Sequence, residues 1–377
     1  MAEKKNNSKK KAGGVSAYTL FCVVIGIIGG VFLSRYSDKL EDAGLDSLLT
    51  LPIILIWFYL AYFIELIIHE TGHMVMGLLT GYKFLSFRIG SFTIMKENGR
   101  LVRKKFKVPG TAGQCLLSPK ETEHPEDLPF FWYNFGGVFF NLLTGAIAVT
   151  AAVLADNIYV VTAAVIFAVS ALLTALVNGI PARISGVLND GYNIRLMMKD
   201  PAERTVIYKS FLANARMYRG ERPEDMAELF SGTEAELKTE HGIALSLTEG
   251  TLHLYRHQYD RAEEIFRSAA EDESVVQIYR MEAKCELLFC LVMLGAEQEK
   301  IAGLYDKELQ KYIQITGKTM IARKRLMYAY YLLFEKSAEK AQAEYDAALK
   351  MEKTYPAKGE YLSEMDLINH IRSENAV

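Results

Sequence analysis

Apolar and polar positions are divided unevenly along the chain. Four long apolar runs crowd the first half: about Ser16 to Ser34, Leu48 to Thr80, Phe131 to Ala155 and Ile158 to Val177. A helix needs about 20 apolar residues to cross a bilayer, and each run comes close to or exceeds that length. One run could be a buried helix of a soluble core, but four in succession read as membrane spans. Between the second and third runs the period changes. Phe84–Ile89, Ser91–Met95 and Leu101–Val108 read as short strands, with Glu97-Asn98-Gly99 as a hairpin turn. They are expected to form a small sheet beside the second span. From about Asp200 onward the pattern is amphipathic and helical with mixed charge.

A weak repeat runs through this last part. Arg219–Phe230 aligns with Tyr255–Phe266, and fainter copies end at Tyr305 and Tyr345. A spacing of roughly 35 to 40 residues is that of tetratricopeptide-like helix hairpins. An irregular helical bundle is the other reading. A solenoid would offer a concave surface to a protein partner, with Tyr328, Tyr330 and Tyr331 either lining it or packed in the core. The expected fold is therefore mainly α. A polytopic membrane core of about four spans carries a small β-hairpin region, and a soluble tetratricopeptide-like domain follows. The divisions are a basic tail (1–15), a membrane domain (16–200) and a helical domain (201–377).

Charge adds an orientation. The tail carries Lys4, Lys5, Lys9, Lys10 and Lys11, and the loop from Gly81 to Pro129 is rich in Lys and Arg. The loop from Arg35 to Ser47 is mainly acidic, and only Asp156 and Asn157 separate the last two runs. By the positive-inside rule the basic segments are cytoplasmic, which places both chain ends inside a multi-pass cell-membrane protein. The first run is too long for a usual signal-peptide core and reads as a retained anchor. A net charge of −2 over 377 residues argues against nucleic acid as a partner. The four cysteines (Cys22, Cys115, Cys285, Cys290) lack the spacing of a metal or redox pair and read as ordinary thiols.

The chemistry lies at the end of the second run, in His69-Glu70-Thr71-Gly72-His73. Two histidines four apart share one helical face, so both imidazoles can bind one zinc ion. Zinc acidifies a water in its open position to a pKa of about 7, and Glu70 is placed to take the proton. Three ionisable residues in five would be costly in a bilayer without a metal. Glu65, one turn earlier, either orients the His69 imidazole or is a protonated carboxyl hydrogen-bonded between helices. A catalytic zinc needs a third protein ligand. Asp190 is the best candidate, because Pro181 should break the fourth span and let the chain return toward the histidines. Asn178 is placed to hydrogen-bond a substrate backbone. His124, in a polar loop, and His253 and His257, four apart on a polar helix, read as surface residues.

Together, His69-Glu70-x-x-His73, Asn178-x-x-Pro181 and Asp190-Gly191 resemble the site-2 protease family of intramembrane zinc metalloproteases. Gly137-x-x-x-Asn141 resembles that family's GxxxN element. The resemblance covers roughly residues 50 to 200. It implies His69, His73 and Asp190 as zinc ligands, Glu70 as general base, and Asn141 and Asn178 as groups holding the substrate strand or the oxyanion. It also implies membrane-spanning or membrane-adjacent proteins as substrates, such as membrane-anchored regulators or signal-peptide remnants. The interval from Pro181 to Asp190 is longer than in many members, and no segment reads as a PDZ-like or CBS-like module. Two other classes compete. A non-catalytic scaffold would bind partners through the helical domain but has no need of Glu70. A metal transporter would carry more polar residues across several spans.

Overall fold

The computed structural model describes Gly30 and residues 47–97, 99–106, 111–184 and 187–375. The basic tail, the first apolar run, the acidic loop after it, Cys22 and the Asn98 corner of the hairpin lie outside the described residues. The chain is mainly helical. It divides into two compact units, and the division is not linear. One unit joins the chain up to Met76 with Phe131–Ile194, and the other joins Gly77–Phe130 with Arg195–Val377.

Among the described residues, the long helices of the first unit are α1 (Ser47–Leu79), α2 (Phe130–Leu154) and α3 (Ile158–Gly179). Each is long and apolar enough to cross a membrane. Their bounds match the second, third and fourth apolar runs to within two residues. They expose wide apolar faces. Leu55, Ile56 and Tyr59 on α1 and Ile147, Val153 and Leu154 on α2 are all more than half exposed. Such faces are unfavourable in water and suit a lipid surround. The turn between α2 and α3 is closed by Asn157, whose side chain accepts hydrogen bonds from the Tyr159 and Val160 amides.

Helix α3 ends where it was expected to. Ile180, the residue before Pro181, is extended (φ −78°, ψ 121°), as the proline ring demands. The chain then makes a small antiparallel pair, β5 (Arg183–Ile184) with β6 (Val187–Leu188), before α4 begins at Asp190 (Asp190–Lys199). This hairpin takes up the long interval between Pro181 and Asp190.

The second unit contains a four-stranded antiparallel sheet of order β3-β2-β1-β4. The strands are β1 (Lys83–Ile89), β2 (Phe92–Glu97), β3 (Arg100–Lys105) and β4 (Gly113–Ser118). Phe87 pairs with Ile94 on one side and Cys115 on the other, with a bulge between Phe84 and Ser86. Only β4 was not foreseen. The sheet packs with the C-terminal helices rather than forming part of a domain that ends at residue 200. Phe106 meets Tyr355 edge-on, the Thr122 amide donates to the Tyr208 hydroxyl at 3.0 Å, and Lys358 approaches Glu97 at 3.6 Å.

The helices of this unit are α5 (Pro201–Arg219), α6 (Gly242–Tyr255), α7 (Tyr259–Glu271), α8 (Gln277–Met293), α9 (Gln298–Leu304), α10 (Lys307–Thr316), α11 (Ile321–Ala329), α12 (Ala338–Met351) and α13 (Lys358–Glu374). Asp200 caps α5 at its start, and Gly220, at φ +98°, ends it. Close helix pairing shows where the repeat placed small and aromatic residues. Ala262 and Phe266 on α7 are fully buried, and the Phe266 ring lies against Gly250 of α6, where a Cβ would come within 2.8 Å of it. The copies are not equivalent, however. Tyr259–Glu271 is an α-helix, whereas Pro223–Leu229 is a 3-10 segment broken at Met226. Tyr328 and Tyr330 are core residues, and Tyr331 is half-buried. Cys115, Cys285 and Cys290 are buried free thiols.

Candidate metal centre

Helix α1 carries His69 and His73 on one face, and both side chains are buried. Their rings stand edge to face with centroids 4.6 Å apart. Each ring is fixed through Nδ1. His73 Nδ1 lies 2.7 Å from the Tyr133 carbonyl, and His69 Nδ1 lies 2.7 Å from Asn141 Oδ1. Both partners are acceptors, so both Nδ1 atoms carry the proton, and in the neutral imidazoles both Nε2 lone pairs are free.

Those lone pairs converge. His69 Nε2 and His73 Nε2 are 3.1 Å apart, and Asp190 Oδ2 lies 3.1 Å from the first and 3.4 Å from the second. Asp190 Oδ2 is buried without a hydrogen-bond partner. Three ligand atoms at mutual distances of 3.1–3.4 Å are grouped as a metal ion would need them. Tetrahedral ligands at about 2.1 Å from zinc lie roughly 3.4 Å from one another. The donor set therefore fits: His69, His73 and Asp190 could hold one metal ion.

The residues around the cradle explain how it is built. Helices α1 and α2 touch backbone to backbone at Gly72 and Gly136. A Cβ on Gly72 would sit 2.3 Å from the Gly136 carbonyl oxygen, and one on Gly136 would sit 2.4 Å from the Gly72 oxygen. Gly137 receives the His69 ring, where a Cβ would fall 2.5 Å from it. One turn further on the same face, Asn141 is fully buried and fully engaged. Its Oδ1 takes His69, and its Nδ2 donates to the Glu65 carbonyl at 3.0 Å and to the Glu65 carboxylate at 2.6 Å. Asn141 thus positions His69. Glu65 lies on the far side of Asn141 from His69. It bridges α1 to Asn141 and Thr144 of α2, and it orients His69 through Asn141 rather than by direct contact.

Asn178 donates from its amide nitrogen to the Thr174 carbonyl of its own helix at 2.9 Å. The residue that does the holding is Asn189, which the sequence reading passed over. Its Nδ2 donates to the Val177 and Ile180 carbonyls at 2.7 and 2.6 Å, and its Oδ1 accepts from the Ala182 and Tyr192 amides at 3.0 Å. Asn189 so ties the end of α3 to the start of α4, and its bond from Tyr192 is an N-cap. Gly191 permits the same approach, since a Cβ there would lie 2.1 Å from the Gly179 oxygen. Together they fix Asp190 opposite the histidines. The clue in the sequence was an asparagine directly before a helix start.

Glu70 follows His69, is buried, and lies close enough to His73 to interact with it electrostatically. Of the other histidines, His124 is exposed beside Glu126. His257 is exposed but lies beyond the end of α6 at φ +56°, so it does not share a helix with His253. No protein-family model, curated protein or solved structure matches the chain.

Proposed function

We propose that the chain is a multi-pass membrane zinc metallopeptidase of the site-2 protease kind. It cleaves peptide bonds in membrane-spanning or membrane-adjacent proteins. The observation that carries this reading is the convergence of the His69 and His73 Nε2 lone pairs with Asp190 Oδ2, directly beside the buried Glu70.

His69, His73 and Asp190 would hold zinc, leaving one position open. When bound, zinc supplies Lewis-acid activation of water and of the scissile carbonyl. Glu70 takes the proton of the attacking water and returns it to the leaving amine nitrogen. Asn141 and Tyr133 keep both imidazoles in the tautomer that offers Nε2. The exposed apolar faces of α1 and α2 support a site within the bilayer, and the distribution of Lys and Arg supports cytoplasmic chain ends. The C-terminal helices form a tetratricopeptide-like module for recruiting or regulating partners.

The test is zinc content and cleavage of a model membrane substrate. Glu70→Gln should keep one zinc per chain and lose activity by about 10²–10⁴-fold, the usual worth of a general base. Asp190→Ala should lose zinc. A Glu70→Gln variant that cuts like wild type would sink the mechanism. Full zinc affinity in Asp190→Ala would remove the third ligand.

A further inference from the structure

A groove of about 830 Å³ opens in the C-terminal unit among α10, α11 and α12. Its walls are basic. Lys307, Lys311, Lys318 and Lys350 line it, are exposed, and have no ion-pair partner among the described residues. A fifth, Lys324, is paired with Glu344 at 2.9 Å, and Glu344 is the only acidic residue lining the groove. The chain as a whole has a net charge of −2, so this concentration of cations is a local exception. Gathering it has a cost. Lys307 and Lys311 stand four apart on one face of α10, where like charges disfavour the helix.

The floor is different in character. Ile313 and Met327 are buried there, and Met351, Tyr305 and Tyr331 are half-exposed. Gln310 and Gln314 continue the α10 face carrying Lys307 and Lys311, offering amides between the charges and the floor. Cationic walls, amide groups and an apolar, methionine-containing floor match an extended peptide with acidic residues flanking an apolar side chain. A flat anionic surface would meet the lysines but not the floor. Nucleic acid would favour a broader basic face.

We propose that this groove docks an acidic, extended segment of a partner protein, held by Lys307, Lys311, Lys318 and Lys350. The proposal stands apart from the zinc chemistry and does not depend on it. The probe is a fluorescein-labelled peptide of alternating Glu and Leu, with a Gln-for-Glu control, titrated against the full chain in phosphatidylcholine nanodiscs. The acidic peptide should bind at least tenfold tighter than the control, and its affinity should fall as salt is raised. Lys307→Glu with Lys311→Glu should weaken it at least tenfold, and the milder Lys311→Ala with Lys318→Ala should weaken it by a smaller factor. Each variant's circular dichroism should match wild type. Equal binding of the two peptides, or unchanged binding by the charge-reversed variant, would overturn the proposal. So would binding of single-stranded RNA or phosphatidylserine vesicles that the charge reversal abolishes, without peptide binding.

Discussion

The two units bury polar groups in opposite ways. In the C-terminal unit, Arg323 and Arg325 are fully buried, but cations face anions. Arg323 bonds Glu286 at 2.8 Å and also Glu282, and Arg325 bonds Glu364 at 2.6 Å and also Glu286. Arg325 also lies over the Phe289 ring at 4.0 Å. In the unit with the long apolar helices, three ligand atoms converge. The first arrangement pairs its cations with anions. The second could hold a metal ion. Burial alone therefore does not mark a functional site; the sign and direction of the converging groups do.

Breaking each arrangement should have different consequences. The largest effect on folding is expected for Arg325→Met, which leaves Glu364 buried without its cation and Glu286 with only Arg323. Removing one member of a buried ion network costs about 3–5 kcal/mol. Denaturant unfolding followed by circular dichroism should show that loss equally with and without a metal chelator. A loss below about 1 kcal/mol would mean that the network is solvated.

Asn141→Ala should behave in the reverse manner. Losing the group that orients His69 should weaken zinc binding about 10- to 100-fold. Stability measured in chelator should change far less than it does with zinc present. Competition with a chromophoric chelator measures the affinity, and an affinity equal to wild type would show that His69 needs no such support.

A further effect concerns Glu360. Burial, together with the neighbouring Glu364, pushes its carboxyl up to about 7. A raised folded-state value means that the folded form holds its proton more tightly. The stability from this group is therefore full below about 4.5 and is lost as pH rises through about 7. Glu360→Gln should match wild type near pH 4.5 and be more stable at pH 8, by roughly 3 kcal/mol. Parallel pH–stability curves for the two proteins would contradict this.

The comparison also shows what the sequence made legible. Helices α1 to α3 were visible because lipid-facing segments need uninterrupted apolar length, and the histidine pair because helical spacing fixes a shared face. Asp190 could be placed because Pro181 must break α3. The roles of Asn141 and Asn189 were not legible. An asparagine looks the same whether it contacts substrate or backbone, and only the partners across the helix packing decide. The close approach at Gly72 and Gly136 depends on residues more than sixty positions apart. The Arg–Glu network was hidden for the same reason: α8, α11 and α13 each read as ordinary mixed-charge helices. Strand β4 was missed because it follows a gap and pairs back to β1 across the rest of the sheet.

The most direct measurement is zinc K-edge X-ray absorption on the purified full-length protein, together with metal content. A site built from His69, His73 and Asp190 requires one zinc per chain, bound only by nitrogen and oxygen at about 2.0–2.1 Å, two of the ligands being imidazoles. Sub-stoichiometric zinc, or a sulfur ligand at about 2.3 Å, would contradict it.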